Sequence, residues 1–501
     1  MALRRFSLGL MFAALAALGP VACGSGASEL TRVAVIGPDP KMVETVSAPL
    51  AAGEALLRSN VAQGLVRFDE RGQVIPGLAE RWNVSDDGLS YIFRLQTGEW
   101  PDGRKVKADE IARILSRQLR PASKNPLKDT LGAVREIVAM TDRVLEIRLN
   151  APRPNLLQLL AQPEFGLVRA SVGTGPFQPA TAEQIAPLPS ELKQLPGIFL
   201  AHRIRIPDAD DPIEKIYLTG GDAPKLVAAF AKGDLELVLG GTVGNLPYAF
   251  AAKVPRGSRR FDPVAGLFGL MPTKRSATLG EKDVRQLLSR AIDREALIAG
   301  LHVGGLQPRA TLLQAGLEGI GPLQQPAWLG QPAIERRQEL IREAQRLFGN
   351  VERPALRVFL PTGPGGEYLL ARLRYDWEPL GLRVDRAPSA ASADLVWIDE
   401  VAPSSSPAWF LRQFRCESVP ICLKDADPLM DQARLTPDST QRAQLFLEAA
   451  RMMDEAQLFI PVAAPIRWSL VSGRAPGFEE NPFARHTLVG LAGTGSGGGL
   501  R

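Results

Sequence analysis

From residue 214 to the C-terminus the chain repeats one pattern: a short apolar or β-branched run, a segment of helical period, then another short run. Strand-like runs at 214–218, 235–239, 356–360, 382–384 and 394–397 alternate with helix-like segments at 222–232, 283–297, 334–348 and 367–380. The segment 283–297 is the clearest helix, because Val284, Leu287, Leu288, Ala291 and Ile292 recur on one face. Gly349 stops the segment 334–348. A long helix is predicted over 440–457, with Asp438 or Ser439 able to cap it, and closing strands over 459–462 and 468–471. Such alternation buries its apolar faces in layered α/β lobes, so the predicted class is α/β.

The N-terminal half reads differently. A first strand is predicted at 30–37 and a helix at 47–63. Two hairpins follow, around the turns Asp69-Glu70-Arg71-Gly72 and Ser85-Asp86-Asp87-Gly88. A further strand pair, 134–140 with 144–149, precedes a short helix at 154–161. The 501 residues suffice for about three domains. Fifty-nine basic residues against 54 acidic ones give a net charge of +5 with no concentrated basic stripe, which argues against nucleic acid as a partner.

The N-terminus predicts export. Arg4 and Arg5 precede an uninterrupted apolar or small run over 8–19, too short to span a bilayer and followed by Pro20-Val21-Ala22-Cys23-Gly24. Cys23 resembles the lipidated cysteine of a bacterial lipoprotein; cleavage near Ala27 is the alternative. The expected location is the periplasm, with the membrane reached only through such an anchor. Cys416 and Cys422 form an even pair that an oxidising compartment lets close, the alternative being two buried thiols.

Several stretches, in order along the chain, resemble the bacterial extracellular solute-binding proteins of the peptide and nickel class, family 5, which includes oligopeptide- and dipeptide-binding proteins. They are Gly64-Leu65-Val66-Arg67-Phe68-Asp69, Pro76-Gly77-Leu78-Ala79-Glu80-Arg81-Trp82, 85–95, Trp100-Pro101-Asp102-Gly103, Gly173-Thr174-Gly175-Pro176-Phe177, 283–294, 431–434 and Phe459-Ile460-Pro461-Val462. The resemblance implies the two-lobed periplasmic-binding-protein fold (type II, large cluster) with an extra domain inserted in the first lobe. The expected division is a signal peptide at 1–23, lobe I from 28–55, 170–262 and 469–501, the inserted domain at 56–169, and lobe II at 263–468. It also implies a receptor that engulfs a peptide between its lobes and hands it to the permease subunits of an ABC importer, as a monomer. The alternatives are a non-peptide solute, such as chelated nickel or an opine-like compound, and a ligand-sensing regulator on the same fold. The region 202–212, Arg- and Asp-rich without an aromatic residue, departs from the family's pattern and bears on specificity.

A peptide receptor needs a desolvated carboxylate for the ligand's α-ammonium. The resemblance places a Trp and an acidic residue just after a lobe II strand, here Leu395-Val396-Trp397-Ile398-Asp399-Glu400. Asp399 is the expected ammonium ligand, Glu400 the alternate, and Trp397 either packs on the ligand or belongs to the core. Arg412 and Arg415 flank Phe414 and read as surface charge or as partners of a ligand carboxylate. No Gly-x-Ser-x-Gly, His-Glu-x-x-His, Walker loop or Cys-x-x-Cys occurs, so no enzyme and no cofactor are expected. The three histidines, His202, His302 and His486, are far apart in sequence, which supports no metal site.

Overall fold

The computed structural model describes residues 30–170, 172–203, 213–273, 278–349 and 354–492. Its first strand, Leu30–Ile36, has Val33, Ala34 and Val35 buried in succession, so both of its faces are covered. Near-continuous apolar burial of this kind suits a parallel strand inside a layered sheet. Leu30–Ile36 indeed pairs in parallel with Ile213–Gly221 on one side and Leu237–Gly241 on the other. The full sheet has the order Gln178–Pro179, Ile198–Arg203, Ile213–Gly221, Leu30–Ile36, Leu237–Gly241, Trp468–Val471, Arg259–Phe261. The helix Ala223–Lys232 crosses between the second and third parallel strands, with Pro224 in its first turn and Gly233 in the left-handed conformation at its end (φ 83°).

A second sheet has the order Arg383–Arg386, Ala355–Phe359, Leu395–Val401, Gly266–Pro272, Ile460–Pro461. Leu395–Val401 pairs antiparallel with Gly266–Pro272 along its whole length. The approach is close: a Cβ on Gly266 would lie 1.9 Å from the carbonyl oxygen of Glu400, so this position takes only glycine. The chain passes between the two sheets twice, at 262–265 and at 462–467. The crossings are joined by a hydrogen bond from the Asp262 N–H to the Arg467 carbonyl (3.0 Å).

Between Ile36 and Gln178 the chain leaves the first sheet and builds a third body. Its antiparallel sheet has the order Ala79–Val84, Ser90–Leu95, Val144–Leu149, Val134–Thr141. Tyr91, Phe93, Leu95, Leu145, Ile147 and Leu149 alternate inward along two of these strands and meet Ile111 and Leu115 of the helix Ala108–Gln118. Gly175, in the return segment, lies so near the helix Ala52–Val61 that a Cβ there would sit 2.4 Å from the Asn60 carbonyl oxygen.

The structure differs from sequence expectation at four places. The helix expected at 47–63 is Ala52–Val61: residues 45–48 form a turn in which the Ser47 and Ala48 N–H groups donate to the Glu44 carbonyl, and Ala51 is extended before the first helical residue. An inserted-domain boundary at 56 would cut this helix, whose Leu56, Leu57 and Val61 pack on the first sheet. Trp468 already belongs to that sheet, one residue before the expected return of lobe I. The helix expected over 283–297 is two helices, Lys282–Ala291 and Arg294–Ala299: Ile292 is extended, and the Asp293 side chain accepts the Ala296 N–H (3.0 Å) to cap the second. Cys23 and the export segment lie outside the described residues.

Candidate functional site

The carboxyl ends of the first sheet's parallel strands and the Leu395–Val401 strand of the second sheet face one another across a cleft of about 660 Å3. Open α/β sheets expose loop and backbone groups at such strand ends, where ligands collect. Val35, Leu239 and Gly241 line one wall, Asp399, Glu400 and Ala402 the opposite one, and Arg467 the hinge between them.

Local sequence explains why the acids reach the cleft. Along Leu395–Val401, residues 395, 397 and 399 share a face. Leu395 and Trp397 fall over the lobe II core, while Asp399 lies beyond its edge, in the cleft. Of the two alternatives for Trp397, ligand side or core, the structure has it packed in the core. It is 6% exposed, stands edge-on to Phe268 with ring centres 4.9 Å apart, and is absent from the cleft wall.

Asp399 is engaged by the protein itself. Arg467 Nη1 donates to Asp399 Oδ1 at 2.7 Å, and Nη2 donates to the Asp399 carbonyl at 2.9 Å. Burial raises the Asp399 pKa above the ordinary carboxylate value, and Arg467 opposes that shift. The Glu400 carboxylate is exposed to the cleft and has no hydrogen bond or ion pair among the described residues. Its surroundings still desolvate it enough to raise its pKa; the charge of Asp399 adds to the shift and Arg467 opposes it. Among the described residues Arg467 bonds Asp399 and nothing bonds Glu400, so this wall carries one more negative than positive charge when both acids are ionised.

A second set of polar groups closes the floor. Asp262 accepts the Asn481 N–H (2.9 Å) and contacts His486 Nε2 (3.2 Å). Arg485 donates to Gln162 (3.0 Å) and to Glu164 (3.1 Å). At the rim, the third body touches lobe II directly. Asn155 Nδ2 donates to Ser405 Oγ (2.9 Å), the Ser405 N–H to Gln158 Oε1 (3.0 Å), and Gln162 Nε2 to the Pro403 carbonyl (2.7 Å). These bonds span the mouth, so the lobes are closed over the cleft.

Cys416 and Cys422 are bonded, with Cα atoms 5.1 Å apart. Arg412 and Arg415 line a separate cavity beside the cleft. The histidines stay apart: His202 faces Glu214, His302 packs near Phe250, and His486 meets Asp262. Among the described residues there is no group of three or more His, Cys, Asp or Glu fit to hold a metal, and no helix long and apolar enough to cross a membrane. Sequence reasoning missed Arg467, Gln162 and Arg485. Only Arg467 carries a local signal, as a lone cation between Ile466 and Trp468.

Two α/β lobes, two crossings and a closed polar cleft define a binding protein that encloses a small solute. The family profile described as bacterial extracellular solute-binding proteins, family 5 (middle region) matches residues 73–350, more than half of the chain. The chain belongs to that family. It is 24% identical to the probable di/tripeptide-binding protein 5 of Pseudomonas aeruginosa, over 98% of this chain and 99% of that one. The crystal structure of Haemophilus influenzae OppA complexed with RPPGFSPFR superposes with a TM-score of 0.76 at 16% identity, covering 92% of this chain and 98% of that one. AgaA of Agrobacterium tumefaciens R10, complexed with agropinic acid, superposes with a TM-score of 0.69 at 18% identity, covering 91% and 96%.

Proposed function

We propose that the cleft receives a short peptide and that Glu400 meets its α-ammonium, the protein acting outside the cytoplasm as the receptor of an ABC importer. The observation that carries the reading is the charge count at the cleft wall. Among the described residues one cation, Arg467, acts on Asp399 and Glu400, and it is already bonded to Asp399. An incoming ammonium completes the set, and a charge-assisted bond is stronger than one between neutral groups. The relatives named for di- and tripeptides and the peptide-bound structure of the same fold support the choice of ligand. The Cys23 anchor and a periplasmic location rest on the N-terminal sequence.

Glu400, rather than Asp399, is the anchor in this reading, because the Asp399 oxygens are partly occupied. Isothermal titration of a free-amino tripeptide tests it. Glu400→Gln weakens binding by about 10- to 100-fold, the loss of one charge-assisted bond. For the unmutated protein, affinity falls as pH drops through the Glu400 pKa, because the protonated acid no longer attracts an ammonium. Burial has raised that pKa, so the fall begins above the pH at which a free glutamate titrates. Unchanged affinity in Glu400→Gln, with a flat pH profile, would remove Glu400 from the site.

A further inference from the structure

A second cavity, of about 500 Å3, lies where residues 129–159 of the third body meet the helices of lobe II. Trp409 lines both this cavity and the cleft, so the two spaces share a wall. Four arginines line the cavity: Arg153 from the third body, and Arg412, Arg415 and Arg434 from lobe II. Its acids are Asp129 and Glu417.

The arginines are unequally satisfied. Arg415 is bidentate with Asp431 (2.8 and 3.1 Å). Arg434 reaches that same carboxylate only at 3.8 Å. Arg412 donates to Thr130 Oγ1 (3.2 Å) and stands 3.8 Å from Asp129. Arg153 has no carboxylate partner among the described residues, and its guanidinium makes one long bond, to the Pro152 carbonyl at 3.4 Å. The charged groups acting on Arg153 are all cations, Arg434, Arg442 and Arg412; burial first, then these, lower its pKa to about 10. It therefore stays charged at neutral pH. A half-buried guanidinium without a counter-ion is costly. Here it also faces like charges from lobe II across the interface, and such juxtaposition opposes the contact. An anion in the cavity relieves both penalties at once.

We propose that this cavity is an anion subsite adjoining the cleft at Trp409, which takes side-chain carboxylates near the distal end of an extended ligand, so that the receptor prefers peptides with an acidic C-terminal half. The identity of the ligand rests on the peptide reading above; the anion chemistry of the cavity does not.

Calorimetric titration of the purified protein at low ionic strength tests the subsite with three probes: Ala-Ala-Glu-Glu, Ala-Ala-Ala-Ala and citrate. Ala-Ala-Glu-Glu is expected to bind at least about tenfold more tightly than the alanine peptide, as one or two charge-assisted bonds allow. Arg153→Gln removes that preference, so that the two peptides bind this variant within about twofold of each other. The variant strands no carboxylate, because Arg153 pairs with none among the described residues, and Arg434→Gln serves as a second variant with the same expected direction. If both peptides bind the unmutated protein equally, the subsite is overturned and the peptide reading stands. If no peptide binds but citrate binds the unmutated protein and not Arg153→Gln, the anion site stands and the peptide reading falls. If citrate and both peptides fail to distinguish Arg153→Gln from the unmutated protein, the subsite is overturned.

Discussion

Arg467 enters the cleft from the second crossing and holds Asp399 by both its carboxylate and its carbonyl. The Asp399 side chain is 12% exposed and that of Arg467 18%, so each depends on the other for most of its polar contact. Removing one partner of such a pair strands the other. Asp399→Asn is expected to cost about 2 kcal/mol of stability, less than for a fully buried pair because both groups keep some solvent. Chemical denaturation checks this; a loss below about 0.5 kcal/mol would show the pair to be as weak as a surface one. The pair also bears on recognition, since it leaves Glu400 as the carboxylate open to a cationic ligand. Asp399 and Glu400 were legible as cleft acids because a short apolar strand ends at them. The Arg467 partner was not legible, since it arrives from 68 residues away and only tertiary structure brings it in.

At the scale of elements, what is encoded over a few residues was readable, and what depends on packing was not. The strands Ala79–Val84 and Ser90–Leu95 show period-two alternation around an Asp-Gly turn, with Gly88 at φ 67°, and form where sequence places them. The split at Ile292 is invisible in the apolar period because Ile292 and Leu297 both remain core residues after the chain bends. Trp397 fits either wall or core by composition; the edge of the core, which no sequence window marks, decides.

The long helix Ser439–Glu455 brings Asp454 against the segment around Leu312, whose N–H it accepts at 2.8 Å. Burial raises the Asp454 pKa to about 7, with Arg309 opposing and Glu455 adding. Asp376, at the packed end of Pro364–Trp377, is raised to about 6 by burial. A carboxyl raised in the fold binds its proton more tightly there than in the unfolded chain. Its contribution is present below the unfolded pKa near 4 and is lost as pH rises to the folded value. Stability should therefore decline between about pH 4 and pH 7 on account of these two groups. Asp454→Asn, which keeps an acceptor for Leu312, should raise stability at pH 8 by about 1 kcal/mol and shrink that decline. Thermal melts across the range check this, and a variant with an unchanged pH profile would contradict it.

On the scale of the whole molecule, the two sheets are joined by two adjacent crossings and by an apolar core that holds Val243 and Leu246 with Leu369 and Leu370, and the third body is joined to lobe II by side-chain bonds at the rim. The rim bonds, Asn155 and Gln158 with Ser405 and Gln162 with Pro403, are few and polar, so opening the mouth exposes groups that water readily serves. A ligand that bonds both walls tips such a balance toward closure by its differential affinity for the closed state. A ligand held at Glu400 on lobe II against the first sheet meets that condition, and one that also reaches Arg153 and Arg412 meets it at two points.

In the proposed function, Glu400 on the cleft wall binds a free α-ammonium. Isothermal titration of one tripeptide in two forms, with its amino terminus free and acetylated, tests it most directly. The free form should bind and the acetylated form should bind at least about 100-fold more weakly, because acetylation removes the cation and leaves the carboxylate pair uncompensated. Equal affinity for the two forms would show that Asp399 and Glu400 do not recognise an ammonium, and the cleft would have to be reassigned to another solute.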